Sequence, residues 1–389
     1  MKRYPNTTPI ILVLLLIEFL DELVFGAGEA AWPLIRTDLG LSYVHIGLLL
    51  SLPGIASSLV EPVIGILGDV GKRRLLVLGG GLLFALSLSL TALSNSFLPL
   101  LISFVLLYPA AGAFVSLSQA TLMDVDPQRH ELNMARWVLA GSVGLVLGPL
   151  ALSGARAAGW GWRGAYLSFA GITLLVWLFA LPLPFQGAGE KPASPSFWQG
   201  AKISLQALGR REVLRWLTLL EFSDLMLDVL LGFLALYLVD AAGTTPGQAA
   251  AAVAVWTGGR LLGGLLLLPL LKRVRGLSYL RVSAAVELAL FPAFLLLPGY
   301  EPKLVLLALL GFFNAGWYSI LQAQLYSAMP GQSGAVMTVG NVFGLVGGLI
   351  PLGLGWIAEC VDLQAAMWLL LLGPAALLVG IPLKRVRDR

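Results

Sequence analysis

The sequence predicts an all-α polytopic membrane protein with twelve transmembrane helices in two pseudo-symmetric six-helix bundles. Of its 389 residues, 58% are hydrophobic and only 12% are charged, whereas about 25% of the residues in a soluble domain are charged. Apolar stretches recur along the whole chain, and each is close to the roughly 20 residues that cross a bilayer. A polar stretch in the middle divides them into two sets of six that share short motifs.

The expected spans are bounded by polar or turn residues. In the first half their approximate cores are 9–35, 43–67, 74–94, 97–122, 137–158 and 163–184. In the second half they are 214–240, 248–271, 277–298, 302–328, 332–358 and 364–383.

Positive charge predicts the orientation, because Lys and Arg concentrate in cytoplasmic loops. With a cytoplasmic N-terminus, 20 of the 25 Lys and Arg residues fall on the cytoplasmic side. The other five are Arg36, Arg156, Arg163, Arg260 and Lys303. We therefore expect a multi-pass protein of the cell (inner or plasma) membrane with both termini cytoplasmic.

The scarcity of cysteine and histidine disfavours several functions. Cys360 is the single cysteine, so an internal disulfide and a cysteine metal cluster are excluded. His45 and His130 are the two histidines, too few for a zinc-hydrolase motif. An intramembrane enzyme is therefore disfavoured, and we expect no enzyme activity and no nucleic-acid partner.

A Pro-, Gly- and Ser-rich stretch, LPLPFQGAGEKPASPSFWQG, follows the sixth span. It predicts an N-terminal bundle over 1–184, a cytoplasmic linker over 185–212 and a C-terminal bundle over 213–389. After Phe197 the linker carries Trp198, Ile203, Leu205 and Leu208, so a helix on the membrane surface and a plain linker both remain open.

The two halves repeat each other. EFLDEL from Glu18 corresponds to EFSDLMLD from Glu221, and GLVLGPL from Gly144 corresponds to GLVGGLI from Gly344. Transporters built from parallel six-helix repeats bind their substrate between the repeats near the midplane.

The turn after span 2, GILGDVGKRRLL, resembles the hallmark turn of the major facilitator superfamily. Gly65, Leu67, Gly68, Asp69, Arg73 and Arg74 match in place, whereas Val70 and Gly71 depart from the pattern. The resemblance implies the superfamily fold. Charge contacts of Asp69 with basic neighbours could hold one conformation, so Gly65, Asp69, Arg73 and Arg74 form a candidate conformational latch. The alternative is that the basic residues are only a positive-inside anchor, but the Asp and Gly at these spacings favour the latch.

Span 5 contains GSVGLVLGPLALSG, which resembles the glycine and proline signature of the superfamily's antiporters. Gly144, Gly148 and Pro149 match, while the glycines that usually follow the proline are absent. Ordinary close packing of helices through small residues is the alternative.

Acidic residues at membrane depth are costly and usually functional. Glu18, Asp21 and Glu22 share one helix face, and Glu29 falls near it. Glu221, Asp224 and Asp228 share a face in span 7. The resemblance implies that spans 1 and 7 both line the central cavity, so the two acidic faces would oppose each other. Such crowded carboxylates cannot all stay ionised, and a cation or protons would relieve their repulsion.

Other side chains could complete this site. Arg260 needs a partner, for which an acid of span 7 is our first expectation, and Glu61 and Glu287 could be functional or structural. Polar and aromatic residues could contact substrate or join helices: Tyr108, Gln119, Asn314, Trp317, Tyr318, Gln322 and Asn341.

Together these features predict a monomeric secondary transporter that exports a small cationic molecule by alternating access with proton coupling. Sodium could replace the proton, and no other cofactor is expected. The substrate could be an organic cation or drug. It could also be a divalent metal ion bound by Asp21, Glu22, Asp224 and Asp228, and a zwitterion or a polyamine stays open.

Overall fold

A computed structural model describes residues 7–68, 72–125, 130–183, 185, 209–329, 340 and 343–382. Twelve long helices make up this described part. Those of the first half are α1 (Thr7–Leu39), α2 (Tyr43–Leu67), α3 (Arg73–Leu93), α4 (Phe97–Val125), α5 (His130–Ala157) and α6 (Gly161–Ala180). Those of the second half are α7 (Arg211–Ala241), α8 (Pro246–Leu270), α9 (Gly276–Leu296), α10 (Tyr300–Ala328), α11 (Phe343–Cys360) and α12 (Leu363–Gly380).

The expected all-α architecture is confirmed. Helices α2 to α12 are long and apolar enough to cross a membrane, and α1 is longer still, at 33 residues, but carries five carboxylates. The chain is therefore a multi-pass membrane protein. Helix α5 begins at His130, earlier than expected. The expected start of span 11, and nearly all of the expected linker over 185–212, lie outside the described residues.

The second helix of each half begins with the same kind of cap. The Ser42 side chain accepts a hydrogen bond from the His45 backbone, and the His45 side chain accepts one from the Ser42 backbone. Thr245 and Gln248 exchange the same pair of bonds at the start of α8, where Pro246 occupies the first turn. Such a capping box satisfies two otherwise unpaired backbone donors.

Glycines allow the closest contacts between helices. A β-carbon on Gly144 would collide with the Phe19 backbone carbonyl, so α1 and α5 touch backbone to backbone. Gly311 brings α10 equally close to the Trp256 carbonyl of α8. Small residues are the usual means of such packing in membranes, because they let two helix backbones approach.

Several helices are irregular within the bundle. Helix α4 contains a π-helical turn at Gly112–Ser116, and α7 contains two, at Leu225–Val229 and at Tyr237–Ala241. Helix α10 is broken after Asn314, where Ala315 is extended and Gly316 takes a φ of +83°. A single π-helical turn inside a helix is frequently found at a functional site.

Polar contacts join the two halves at the end of the bundle where α1 and α7 end, which we call the closed end. Arg36 pairs with Asp240 at 2.9 Å, and the Tyr43 hydroxyl donates to the same carboxylate at 3.0 Å. The Tyr43 backbone N–H donates to Glu359 at 2.8 Å. These contacts hold the halves together on this side.

Candidate functional site

A cavity of about 530 Å³ lies between the two halves. Most of its walls come from helices of the first half, and Asp228 and Arg260 reach it from the second half. Its carboxylates are Asp21, Glu22, Glu29, Glu61 and Asp228. Its aromatic residues are Phe25, Trp32, Phe84, Phe104, Tyr108 and Tyr166. The cavity therefore combines excess negative charge with aromatic surface.

Helix α1 supplies three of the carboxylates. Asp21 and Glu22, which are neighbours in the chain, both line the cavity. Glu29, two turns further along, is buried and accepts a hydrogen bond from Trp32 Nε1 at 3.1 Å. Glu18 is buried outside the lining residues, with its carboxylate against Gly141 of α5.

Helix α7 presents one carboxylate to the cavity through its irregular turn. Asp228 lies within the π-helical turn, and its side chain is 63% exposed. Arg260 of α8 lies 3.9 Å from Asp228, and its guanidinium stacks over Trp256 at 4.9 Å. The expectation that Arg260 pairs with an acid of span 7 is confirmed.

The other two acids of α7 lie in different surroundings. Glu221 packs its carboxylate against Gly347 of α11. Asp224 is half-buried and lies one turn before Asp228. The three acids of span 7 thus share a helix but not a single wall of the cavity.

Glu61 sits opposite the irregular turn of α4. Ser57 Oγ donates to Glu61 at 2.8 Å, which orients the carboxylate. A β-carbon on Gly112 would lie 2.9 Å from Glu61 Cγ, so the glycine in the π-helical turn leaves room for this side chain. Glu61 therefore belongs to the cavity wall and does not face lipid.

The polar and aromatic candidates lie in different surroundings. Tyr108 lines the cavity, and the half-exposed Tyr318 lies within electrostatic reach of Asp224 and Asp228. Asn314 and Trp317 are buried away from the cavity: Trp317 Nε1 donates to Ser283 Oγ at 2.8 Å. Gln119 bonds to the Met134 sulfur, Gln322 is half-buried, and Asn341 lies outside the described residues.

The candidate latch lies within the first half in this conformation. Arg73 is buried and pairs with Asp124 at the end of α4 at 2.6 Å. Arg74 donates to the Leu181 and Leu183 carbonyls at 2.5 and 2.6 Å, which closes the end of α6. Gly65 lies in the last turns of α2, and Asp69 lies outside the described residues. The latch itself stays a prediction.

The glycine and proline motif of α5 packs directly on α1. Gly144 lies against the Phe19 carbonyl, Gly148 lies against the Leu23 carbonyl, and Pro149 is accommodated within α5. This packing places the acids of α1, and the role of the motif in exchange stays a prediction.

Sequence reasoning undervalued two cavity residues. The sequence places Glu29 only near the acidic face of α1, because it lies eleven residues, about three turns, from Glu18. Tyr166 of α6 had no signal in the sequence beyond being aromatic, and its hydroxyl lies 3.0 Å from the β-carbon position of Gly28.

One known protein is similar in sequence to part of this chain. The fosmidomycin resistance protein of Escherichia coli (strain K12) is 30% identical over 132 residues. That match covers 34% of this chain and 32% of the relative, so the chain matches about a third of that protein's length.

Solved structures share the whole fold. A bacterial homologue of the human lysosomal transporter Spinster, in an inward-facing and unoccupied conformation, superposes with a TM-score of 0.75 at 17% identity. The alignment covers 98% of this chain and 95% of that one. The nucleoside transporter NupG gives a TM-score of 0.74 at 15% identity, with 96% and 98% covered. The model of the major facilitator superfamily matches residues 14–352, and the chain therefore belongs to this superfamily of transporters.

Proposed function

We propose that this transporter exports a small organic cation in exchange for protons by alternating access. The observation that carries the proposal is the charge of the cavity: five carboxylates face a single guanidinium, that of Arg260. An excess of negative charge in a low-dielectric wall attracts a cation and disfavours an anion.

The aromatic walls support an organic substrate. Trp32 and Phe104 stack at 5.6 Å between ring centroids, and Tyr108 lies on the same helix as Phe104. Faces of such rings attract organic cations, by roughly 0.5–2 kcal/mol each. A cavity of about 530 Å³ also falls in the size range of small-molecule sites.

Proton coupling would follow from competition for the carboxylates. Asp21 and Glu22 are adjacent in the chain, and Asp228 faces the same cavity. Without a bound cation, like charges at this spacing favour uptake of protons, and a bound cation favours their release. The groups would titrate together, so no single residue is assigned as the proton carrier. Sodium could take the proton's place by the same competition.

The direction of transport is proposed from the closed end together with the matching relative. If the N-terminus is cytoplasmic, as the distribution of Lys and Arg predicts, the Arg36–Asp240 contact closes the external side. The cavity would then be accessible from the cytoplasm, the side from which an exporter loads and to which an importer releases its substrate. The name of the matching relative, a fosmidomycin resistance protein, fits efflux.

The divalent-metal alternative has less support. Among the described residues, no three His, Cys, Asp or Glu side chains come together as a metal-binding group. Hard divalent ions prefer six or more oxygen ligands. We therefore favour the organic cation and keep the metal ion as an outcome of the test.

The test is substrate-driven proton flux in proteoliposomes containing the full chain. Lipophilic organic cations and divalent metal ions are supplied in turn, and the internal pH is followed. Asp21→Asn and Asp228→Asn are each expected to lower the flux by about tenfold or more, because an interaction with a charged group contributes roughly 1.5–3 kcal/mol.

Glu301→Gln is the matched control, since Glu301 is an exposed acid in the first turn of α10, outside the cavity. This variant should retain full flux. Flux with both cavity variants equal to that of the unmodified protein would show that the coupling site lies elsewhere. Flux driven by a divalent metal and by no organic cation would favour the metal alternative.

A further inference from the structure

Among the buried oxygen atoms of the second half that receive no hydrogen bond, three belong to two neighbouring helices. They are both carboxylate oxygens of Glu287 in α9 and the amide oxygen of Asn314 in α10. Glu287 is 0% exposed and Asn314 is 1% exposed. No described residue donates to any of the three atoms. A buried acceptor left in this state costs about 1–3 kcal/mol, and a carboxylate costs more.

The two side chains lie at the same depth. Helices α9 and α10 follow each other through a short connection and are antiparallel neighbours. Trp317 Nε1 donates to Ser283 Oγ at 2.8 Å, which fixes the register between them. Glu287 lies one turn after Ser283 on α9, and Asn314 is the last helical residue before the break that precedes Trp317. The two positions therefore lie near the same level.

The backbone is interrupted at this level. Helix α10 ends at Asn314 and resumes at Trp317. The Tyr279 hydroxyl lies 3.0 Å from the Phe313 carbonyl and 3.0 Å from the Ala315 carbonyl, so it serves the freed backbone oxygens. A broken helix inside a membrane is tolerated where it is buried in protein or lines a cavity, and transporters place coupling ions at such breaks.

The orientation of the Asn314 amide follows from its donor. Asn314 Nδ2 donates to the Met226 carbonyl at 3.0 Å, next to the π-helical turn of α7. Rotating the amide by half a turn would set its oxygen against that carbonyl, two acceptors together. The Asn314 side-chain oxygen therefore points away from Met226, and no described group donates a hydrogen bond to it.

Few charged or titratable groups face Glu287. Arg260 of α8 is within electrostatic reach, and so is Tyr279 on α9 itself. Helix α12, which packs on α9, carries no titratable residue from Leu363 to Gly380. Arg260 is already engaged at the cavity with Asp228 and Trp256. Lys303 of α10 is buried near the far end of α9, where it donates to the Phe294 carbonyl. Among the described residues, no positively charged side chain is hydrogen-bonded to Glu287.

We propose that Glu287 and Asn314 form a binding site for a monovalent cation, a proton or Na⁺, separate from the substrate cavity. A proton on one Glu287 oxygen would donate to the Asn314 oxygen and satisfy both. A sodium ion would draw ligands from all three oxygens, the hard donors that such ions prefer. The proposed ion-binding site does not depend on a transported substrate. Its role in binding the coupling ion rests on the proposed function.

The test is infrared spectroscopy of the purified full-length protein near neutral pH, in Na⁺ and in choline. A protonated carboxyl group has its own C=O stretching band, separate from that of a carboxylate. We expect a band that is absent from Glu287→Gln and retained in the matched control Glu301→Gln. Asn314→Ala should shift the band to higher frequency, because the acid would lose its hydrogen-bond acceptor.

The two ions give different results. A band of equal strength in Na⁺ and in choline identifies the proton as the bound ion. A band that appears in choline and disappears with a saturable dependence on Na⁺ identifies sodium. Absence of any Glu287-dependent band under both conditions overturns the proposal, because Glu287 is then an ordinary carboxylate compensated by Arg260.

Failure of this inference can be told apart from failure of the proposed exchange. The infrared measurement needs no transported substrate, whereas the flux measurement needs no protonated Glu287. Glu287→Gln keeps the shape of the protonated acid and should fold. If it does not, the frequency shift in Asn314→Ala still decides the question: an unchanged carboxyl spectrum in that variant counts against the site.

Discussion

The carboxylate of Glu221 in α7 occupies the space that a β-carbon on Gly347 of α11 would take. The first half has the same arrangement, because Glu18 Oε1 of α1 lies 2.5 Å from the β-carbon position of Gly141 in α5. Glu18 and Glu221 begin the two matching acidic motifs. Each half therefore packs the first acid of its matching motif against a glycine of its fifth helix.

Gly347→Ala should destabilise the protein by about 1–3 kcal/mol, as overpacking does elsewhere. The loss should lie near the lower value, because the Glu221 side chain can rotate away. Gly353→Ala on the same helix is the matched control, since nothing lies within 4 Å of its β-carbon position. Thermal unfolding of the purified variants, followed by intrinsic fluorescence, measures the difference.

Removing the opposing carboxylate should rescue the larger residue. In a Glu221→Ala background, Gly347→Ala is expected to cost no more than Gly353→Ala does. If the cost were the same with and without the Glu221 side chain, the clash would not come from this carboxylate.

Gly148→Ala should have a larger effect, at about 3 kcal/mol, the upper value for overpacking. Its β-carbon would collide with the Leu23 carbonyl and lie 2.5 Å from the Ala27 nitrogen. Both are backbone atoms of α1 and cannot rotate away, so the two helices must separate. Asp21 and Glu22 would then move, and substrate-driven flux should fall together with stability.

Gly154→Ala provides the control within α5, because its β-carbon position is open. Alanine is favoured over glycine inside a helix by about 0.5–1 kcal/mol, so this variant should be as stable as the unmodified protein or slightly more stable. Equal melting temperatures for Gly148→Ala and Gly154→Ala would contradict the close contact between α1 and α5.

Asp240→Asn should open the closed end. The change removes the ion pair with Arg36 and weakens the bond from the Tyr43 hydroxyl. Together these contacts should be worth about 1–2 kcal/mol, or roughly a tenfold change in the conformational equilibrium. A pair of spin labels across the closed end, one on each half in a Cys360→Ser background, should report a larger population at long distance.

Glu301→Gln tests whether the change is specific to the contact. Glu301 is exposed at the same end, and no described residue of the first half bonds to it. The distance distribution of the spin-labelled Glu301→Gln variant should match that of the labelled protein with Glu301 intact. A matching distribution for Asp240→Asn as well would mean that Arg36 and Tyr43 do not hold this end closed.

Much of the fold could be predicted from the sequence because a bilayer imposes long apolar helices. The start of α2 was expected at residue 43 and is observed at Tyr43, and the end of α10 was expected at 328 and is observed at Ala328. Helical spacing also predicted that Glu18 shares the face of Asp21 and Glu22, but Glu18 lies outside the cavity that the other two residues line.

The finer parts of the site could not be predicted, because they depend on which face each helix turns toward its neighbours. Trp317 carries the same chemistry as Trp32, but it is buried against Ser283, while Trp32 lines the cavity. The irregular turn that holds Asp228 leaves no pattern in the residues 225–229. Helical periodicity predicts which residues share a face of a helix, whereas tertiary packing determines whether that face lines the cavity or contacts another helix.

Asp124→Asn should cost more stability than a similar change in an exposed ion pair. Arg73 is 3% exposed and Asp124 is 19% exposed, and a hydrogen bond between charged groups contributes roughly 1.5–3 kcal/mol. Asp38→Asn weakens the Arg163–Asp38 pair, whose members are 38% and 43% exposed, where about 0–1 kcal/mol is expected.

Comparing Asp124→Asn with Asp38→Asn distinguishes an ion pair that anchors two helices from an ion pair at the surface. The pair of Arg73 and Asp124 ties the start of α3 to the end of α4, next to the turn proposed as a latch. If the pair only anchors the turn, Asp124→Asn should lower the melting temperature and leave the closed-end distance distribution unchanged. If the turn acts as a latch, the same variant should also shift that distribution. A melting temperature equal to that of Asp38→Asn would contradict both, because the buried guanidinium would then not depend on its carboxylate.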